Sequence, residues 1–144
     1  MGLHLIKLAV GAESFSHLRE RQRSRLVDGI GANEKYLRHL TRSMPKRADE
    51  LLFNGSIYWV IKRAIRARQR IVDIEKAVNY KGVTCCALIL EPGLVAVRAR
   101  PHRPFQGWRY LEHKDAPPDD ISFKDEDDEL PQEMADELRE LGLL

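Results

Sequence analysis

The sequence has no long apolar run. Its most apolar stretch near the start, residues 3–10 of 144, is interrupted by His4 and Lys7. A membrane-spanning helix needs about 20 consecutive apolar residues, and a secretory signal needs an unbroken apolar segment after a basic start. Neither pattern is present, so we expect a cytoplasmic protein that has no membrane partner.

Cysteine is also scarce. The two cysteines, Cys85 and Cys86, are adjacent, which is not the spacing of a zinc site or a redox pair. On a strand, neighbouring side chains point to opposite faces, so one thiol would be buried and the other would face a second layer or solvent. We interpret both cysteines as structural residues of a protein from a reducing compartment.

The linear signatures of enzymes are missing too. The sequence contains no P-loop, GxSxG, HExxH or CxxC motif, and its five histidines show no paired ligand spacing. The glycines in residues 29–33 lack the third glycine and the preceding strand of a dinucleotide-binding loop. We therefore predict no cofactor and no metal, and we favour a protein that is not an enzyme. A catalytic group assembled in space from His39, His102, Asp73 or Cys85 stays open.

Charge is abundant and unevenly divided. Residues 1–114 carry 22 Lys and Arg against 10 Asp and Glu, a net charge of +12, whereas residues 115–144 carry 2 against 12, a net charge of −10. A basic body of this size attracts polyanions, and an acidic segment tethered to it competes for the same surface. This division points to RNA or another polyanion as the partner.

Length and composition are typical of one folded domain. We predict an α+β domain over residues 1–114, an acidic linker containing prolines over 115–129, and an amphipathic tail helix over 130–144. The predicted domain is a mostly antiparallel curved sheet, or an open barrel, with two helices. The tail helix carries an apolar side that could dock on a protein partner.

Local patterns predict the first elements. Residues 3–10 alternate as a strand, and Ser14 is a typical N-cap for a helix that continues to about Asp28, with Gly29 at its C-terminal end. A second strand is predicted over residues 35–43. Pro45 then marks a short helix.

The short helix is predicted over residues 46–53, with Lys46 and Arg47 in its first turn. Cations there oppose the helix dipole, but together with the free N–H groups they would form a phosphate-binding site. The alternative is that both are ordinary exposed cations.

Residues 57–74 fit two structures. As a helix capped by Ser56, they present an almost continuous apolar stripe; as two strands, they place Arg66, Arg68 and Arg70 on one face. We favour strands, because the first residues have high β propensity. On a strand the three arginines form a track for a nucleic-acid backbone, or simply a solvated face.

A β-hairpin is predicted further along the chain. Residues 83–90 and 94–100 flank Glu91-Pro92-Gly93, which has the preferred residues of a type II turn. A final strand within residues 105–111 would be entered through a glycine turn.

Arginines and aromatic residues mix just before this final strand. Arg103, Phe105, Trp108 and Arg109 could clamp phosphates and stack on unpaired bases, or the aromatic rings could anchor the core. The residues we predict to bind nucleic acid or another anion are Lys46, Arg47, Arg66, Arg68, Arg70, Arg103, Phe105, Trp108 and Arg109. We expect non-enzymatic binding of RNA or single-stranded nucleic acid, regulated by the acidic tail. The alternatives are a small enzyme acting on a nucleotide or phosphorylated substrate, and an adaptor that binds through the C-terminal helix.

Several blocks of the sequence resemble one bacterial family. They are LHLIKLAV at 3–10, MPKRADELL at 44–52, SIYWVIKRAIRARQR at 56–70 and RPFQGWRYL at 103–111, followed by APPD at 116–119. This pattern is similar to the family called domain of unknown function 1489. The resemblance implies no activity, so no catalytic residue is carried over. More distantly, the order of elements looks like the small barrels of the PUA and ASCH type, which bind RNA or modified bases.

Overall fold

The structure is a computed structural model that describes residues 2–25, 27–28 and 35–123. These residues form a mixed α+β fold with a large open sheet and two short helices. The predicted α+β class is therefore confirmed. The predicted helix end at Gly29 and the predicted tail helix lie outside the described residues. Within the described part of the chain, no helix is both long and apolar enough to cross a membrane.

The strands are β1 (Leu3–Leu8), β2 (Val27–Asp28), β3 (Lys35–Thr41), β4 (Ser56–Ile61), β5 (Ala64–Val78), β6 (Thr84–Leu90), β7 (Val95–Pro101) and β8 (Trp108–Glu112), and the helices are α1 (Phe15–Arg23) and α2 (Ala48–Leu52). Seven strands follow the order β2-β3-β6-β5-β4-β1-β8, and β7 pairs with β5. The pairs are antiparallel except for β1 with β4, which is parallel. A parallel pair needs a crossover, and the chain between β1 and β4 contains both helices.

The sheet has two faces with different coverings. The helix face packs against both helices and carries most of the buried apolar side chains, including Leu5, Phe15, Leu18, Leu51, Ile57, Trp59, Ile71 and Leu88. The second face carries a smaller cluster of Ile6, Tyr58, Val60, Ile65 and Val97, with Phe105, Leu111 and Ala116 packed against it. Because side chains alternate along a strand, consecutive residues of β4 contribute to opposite clusters.

The ambiguous stretch forms two strands, as favoured. Strand β4 pairs with β5 through a turn at Lys62 and Arg63. The adjacent cysteines also behave as expected, since Cys86 is buried and Cys85 is partly exposed. Burial raises the pKa of the Cys86 thiol, and Cys85 raises it further.

Both helices are shorter than predicted. Ser14 caps α1, accepting a hydrogen bond from the His17 N–H, but the helix ends at Arg23 rather than near Asp28. The Arg25 N–H donates to the Gln22 carbonyl, three residues earlier, which tightens the turn that follows the helix. Residues 27–28 then pair with β3. Helix α2 begins at Ala48, since Arg47 has a non-helical backbone and serves as the N-cap. The prediction of Lys46 and Arg47 in a first helical turn is therefore wrong.

The predicted hairpin over residues 83–100 is also wrong. Strands β6 and β7 both run antiparallel to β5 and follow one another along it. Two hydrogen bonds hold the intervening turn beside β5: the Glu91 N–H donates to the Arg70 carbonyl at 3.0 Å, and the Gln69 side chain donates to the Glu91 carbonyl at 2.9 Å. The Pro-Gly turn consequently bends the chain between β6 and β7, and both strands pair with β5 one after the other instead of pairing with each other.

The turn between β4 and β5 is strained, and this predicts a stabilising change. Lys62 and Arg63 have φ angles of 48° and 65°, the left-handed region that favours Asn and Gly in a two-residue hairpin. We expect K62N/R63G to raise the free energy of unfolding by about 1 kcal/mol. Urea unfolding measures the change. The control R63A removes the same side chain while keeping the unfavourable φ; an equal gain from both variants would contradict the explanation.

Candidate anion-binding site

The cations around α2 are already partnered. The Arg47 guanidinium donates to both carboxylate oxygens of Glu50, one of them at 2.8 Å, and lies 5.4 Å from the centre of the Tyr110 ring. Their side-chain hydrogen bond raises the pKa of Arg47 and lowers that of Glu50. Lys46 is exposed nearby. Trp108 is held by a hydrogen bond from its Nε1 to the Ser43 carbonyl.

The arginines of β5 do not form a free basic track. Arg68 makes a two-pronged ion pair with Asp119, at 2.6 and 2.7 Å; this bond raises the pKa of Arg68 and lowers that of Asp119. Arg66 is the extra residue at a bulge, and its Nε donates to the Ile61 carbonyl. Arg70 is exposed. One strong cation of this stripe is thus neutralised by the segment predicted to be a linker.

The stretch before β8 is divided between the two faces of the sheet. Phe105 packs on the second-face cluster, and the Arg109 guanidinium lies 4.6 Å from the centre of its ring. Trp108 packs against the helix-face cluster instead. Arg103 is exposed. The nine predicted residues therefore do not share one surface, because alternation along β8 sends neighbouring side chains in opposite directions.

A different set of cations does converge. A cavity of about 260 Å³ lies between α1, β1 and β3 on the helix face. We call it the basic pocket; its polar lining comprises Lys7, Arg21, Gln22, Arg25, Arg38 and His39, and Trp59 lies at its wall. No carboxylate contributes to this lining among residues 2–25, 27–28 and 35–123. The pocket is therefore positively charged, and no carboxylate of a described residue in its lining balances this charge.

His39 lies inside this field of cations. Its ring stands edge-on to Trp59, with 5.2 Å between the ring centres, and its Nε2 is buried without a hydrogen-bond partner in the described part of the chain. Burial, followed by the charges of Lys7, Arg25 and Arg21, lowers the pKa of His39 to about 4. The imidazole is consequently neutral at physiological pH.

Lys7 has the same kind of environment. Its side chain is half-buried, and burial lowers its pKa. It makes no ion pair with any described residue, whereas buried ammonium groups are normally paired. Arg21 is oriented by a hydrogen bond to the Val10 carbonyl at 2.8 Å. An anion in the pocket would supply the missing partner.

Sequence reasoning overlooked this site although it carries a signal. Lys7 occupies the same side of β1 as Leu3 and Leu5, an inward position where an apolar residue is expected. The arginines of α1 alternate in sequence, and only the docking of the helix shows which of them reach Lys7. The described residues contain no candidate metal site, because no three of their His, Cys, Asp or Glu side chains are grouped to hold a metal ion.

Comparison with known proteins adds a family. The family described as "Protein of unknown function (DUF1489)" matches residues 5–144. No curated protein and no solved structure matches the chain. The family match covers nearly the whole sequence and agrees with the blocks at 3–10, 44–52, 56–70 and 103–111. The chain belongs to the DUF1489 family of proteins of unknown function.

Proposed function

We propose that this protein binds RNA or another single-stranded nucleic acid without catalysing a reaction on it, and that a phosphate of the bound strand occupies the basic pocket. The observation that carries the proposal is the half-buried Lys7 in a pocket with three arginines and no described carboxylate. Phosphate is the charged group that every nucleic acid offers, whatever its sequence.

The electrostatics of the pocket favour this ligand. Bringing Lys7, Arg21, Arg25 and Arg38 around one cavity creates repulsion that a bound phosphate would relieve. Guanidinium groups match phosphate oxygens in pairs, and an ammonium group adds a point charge. The unpartnered Nε2 of His39 could donate to a phosphate oxygen if that nitrogen carries the proton.

The surroundings of the pocket suit a longer ligand. Arg42, which follows β3, is exposed, so basic residues continue past the strand that lines the cavity. Nucleic acid binds to such surfaces by releasing counterions, and its affinity falls steeply with salt. The predicted likeness to PUA and ASCH barrels stays a prediction.

A second candidate is an enzyme acting on a nucleotide or phosphorylated substrate. The observation that favours it is the small volume of the basic pocket, about 260 Å³, together with a histidine beside the cations. Such a cavity has room for a phosphate group and part of a small substrate, but not for a length of nucleic acid strand. The adaptor alternative rests on the tail helix, which lies outside the described residues.

Charge reversal in the pocket tests the proposal. The double variant R25E/R38E should bind a labelled RNA of about 12 nucleotides at least 10-fold more weakly than wild type. The slope of the logarithm of its binding constant against the logarithm of salt concentration should be smaller in magnitude by about 2. Fluorescence anisotropy over about 50 to 200 mM salt measures both quantities. The control K76E/K81E makes the same change of charge at exposed positions of the β5–β6 hairpin and should have a much smaller effect.

Other outcomes separate the alternatives. Equal losses in both double variants, or no RNA binding by wild type, would refute the proposal. Binding of uridine monophosphate as tight as that of the RNA would favour the enzyme. A third variant replaces the acids of residues 125–129 with Asn and Gln and should bind RNA more tightly, because the tail then competes less well for the basic surface.

A further inference from the structure

A second polar cavity, of about 410 Å³, lies on the second face of the sheet. Strands β1, β4 and β5 supply His4, Tyr58 and Arg68, and the segment after β8 supplies His113 and Asp119. It lies on the opposite face from the basic pocket, because Tyr58 packs in the second-face cluster while Trp59, its neighbour, lines the basic pocket. The two cavities are separate sites.

A backbone amide determines the protonation of the two histidines. The Ser56 N–H donates to His4 Nδ1 at 3.0 Å, so this nitrogen carries no proton and the neutral His4 ring is protonated at Nε2. His4 Nε2 lies 3.0 Å from His113 Nδ1, which must therefore accept. A neutral His113 then carries its proton on Nε2. The His4–His113 pair thus leaves one fixed N–H donor on His113.

This order of protons excludes general base catalysis by neutral His113. Abstracting a proton at Nε2 requires an unprotonated nitrogen there, and the hydrogen bond from His4 keeps that nitrogen protonated. Burial is the main cause that lowers the pKa of His4 to about 4, and any positive charge on His113 or Arg68 acts in the same direction. The donor arrangement therefore persists at neutral pH, and the cavity is suited to binding.

The other polar groups of the cavity add no net charge. The Arg68 cation is balanced by Asp119, which accepts two of its hydrogen bonds. Tyr58 is 4% exposed, and its hydroxyl has no hydrogen-bond partner among the described residues. Burial raises the pKa of this phenol, which is therefore neutral. The His4 ring is a neighbour of both residues, with its centre 5.1 Å from that of the Tyr58 ring and 5.3 Å from that of the His113 ring.

We propose that this cavity binds an uncharged planar ligand of the amide or imide class, with the His113 Nε2–H and the Tyr58 hydroxyl each donating to a carbonyl oxygen of the ligand. Neutral donors suit carbonyl oxygens. An anion is a poorer ligand, because the Arg68 cation of this cavity is already paired with Asp119. The rings of His4 and Tyr58 and the prolines at 117–118 line the cavity and favour a flat ligand over a branched one. The inference does not rest on the proposed nucleic-acid function.

Nuclear magnetic resonance on the full chain tests the proposal in two steps. Ring-nitrogen spectra at neutral pH should show Nδ1 unprotonated and Nε2 protonated in both His4 and His113. Titration with uracil, a planar imide, should then shift the His113 ring signals, with a dissociation constant of millimolar order or tighter. Acetate and inorganic phosphate at the same concentrations should not cause this shift.

Variants distinguish this site from the basic pocket. Tyr58→Phe, which keeps the ring and removes one donor, should weaken uracil binding about 3- to 10-fold, and His113→Ala should weaken it further. R25E/R38E should leave uracil binding unchanged, so that this proposal and the proposed RNA binding can fail separately. A proton on His113 Nδ1, no response to uracil, or an equal response to acetate would overturn the proposal.

Discussion

Replacing Gly55 with alanine is expected to destabilise the protein by about 3 kcal/mol or more, because the new methyl group has no space. A Cβ atom at this position would lie 2.1 Å from the Leu51 carbonyl oxygen and 2.7 Å from that of Leu3. Both atoms belong to backbone that is held in place. The Gly55 N–H donates to the Leu51 carbonyl at 2.9 Å, and its own carbonyl accepts from the Ile71 N–H at 3.0 Å.

The clash therefore involves two elements, α2 through Leu51 and β1 through Leu3. Gly55 lies in the short connection between α2 and β4, and its hydrogen bond with Ile71 ties it to β5. Relief of the contact would require α2 to move away from the sheet, which would expose Leu51, a fully buried residue. Urea unfolding followed by circular dichroism measures the loss.

Gly82→Ala is the matched control. Gly82 has a φ of +77°, but no atom lies within 4 Å of the position that an alanine methyl group would occupy. Alanine there meets only backbone strain, of about 1 kcal/mol. A loss at Gly55 no larger than the loss at Gly82 would show that the packing of α2 is not as tight as described.

The second large effect is loss of stability in mild acid. The pKa of His4 and that of His39 are each lowered from 6.5 to about 4 in the folded protein. Between pH 6.5 and about pH 4, these histidines bind protons in the unfolded chain but not in the folded chain. The free energy of unfolding therefore falls as the pH falls. Each histidine should contribute up to about 3 kcal/mol to this loss, which is complete near pH 4.

The two histidines lie in different surroundings and should act independently. His4 faces His113 and Arg68 on the second face, whereas His39 faces Lys7, Arg21 and Arg25 on the helix face. In both places burial is the main cause, and positive charge on the neighbouring residues lowers the pKa further. Their contributions should therefore be additive.

Variants isolate each contribution. Urea unfolding from about pH 7 to about pH 4.5 should give a flatter pH dependence for His4→Asn and for His39→Gln, and the flattest for the double variant. Asparagine retains an acceptor for the Ser56 N–H, which helps the first variant to fold. His17→Gln, at an exposed position of α1, is the control and should follow wild type. Wild-type stability that stays constant over this range would contradict the explanation.

Local sequence patterns were sufficient for the elements whose cause is local. Alternation predicted β1, high β propensity favoured two strands over residues 57–74, and Ser14 predicted the start of α1. Gly107 predicted the turn into β8, and its φ in the structure is 71°. These features depend on side-chain periodicity and on backbone preferences, which are properties of a few neighbouring residues.

Features that depend on distant partners were not predictable in the same way. The end of α1 depends on pairing between β2 and β3, and the Pro-Gly turn is a kink because β6 and β7 share the edge of β5. Likewise, the sequence does not show that Arg68 is neutralised by Asp119, 51 residues further along the chain. The turn pattern at residues 91–93 is compatible with both outcomes, and long-range hydrogen bonds select one.

The candidate sites show the same division. The sequence by itself determined that the body of the protein is strongly basic, that its elements are mixed, and that it belongs to a family without an assigned activity. Only the tertiary structure decided which cations meet, since it pairs Arg47 and Arg68 with carboxylates and gathers Lys7, Arg21, Arg25 and Arg38 around one pocket. The physical reason is that charge adds along a sequence, whereas electrostatic interaction depends on distance and burial in the folded chain.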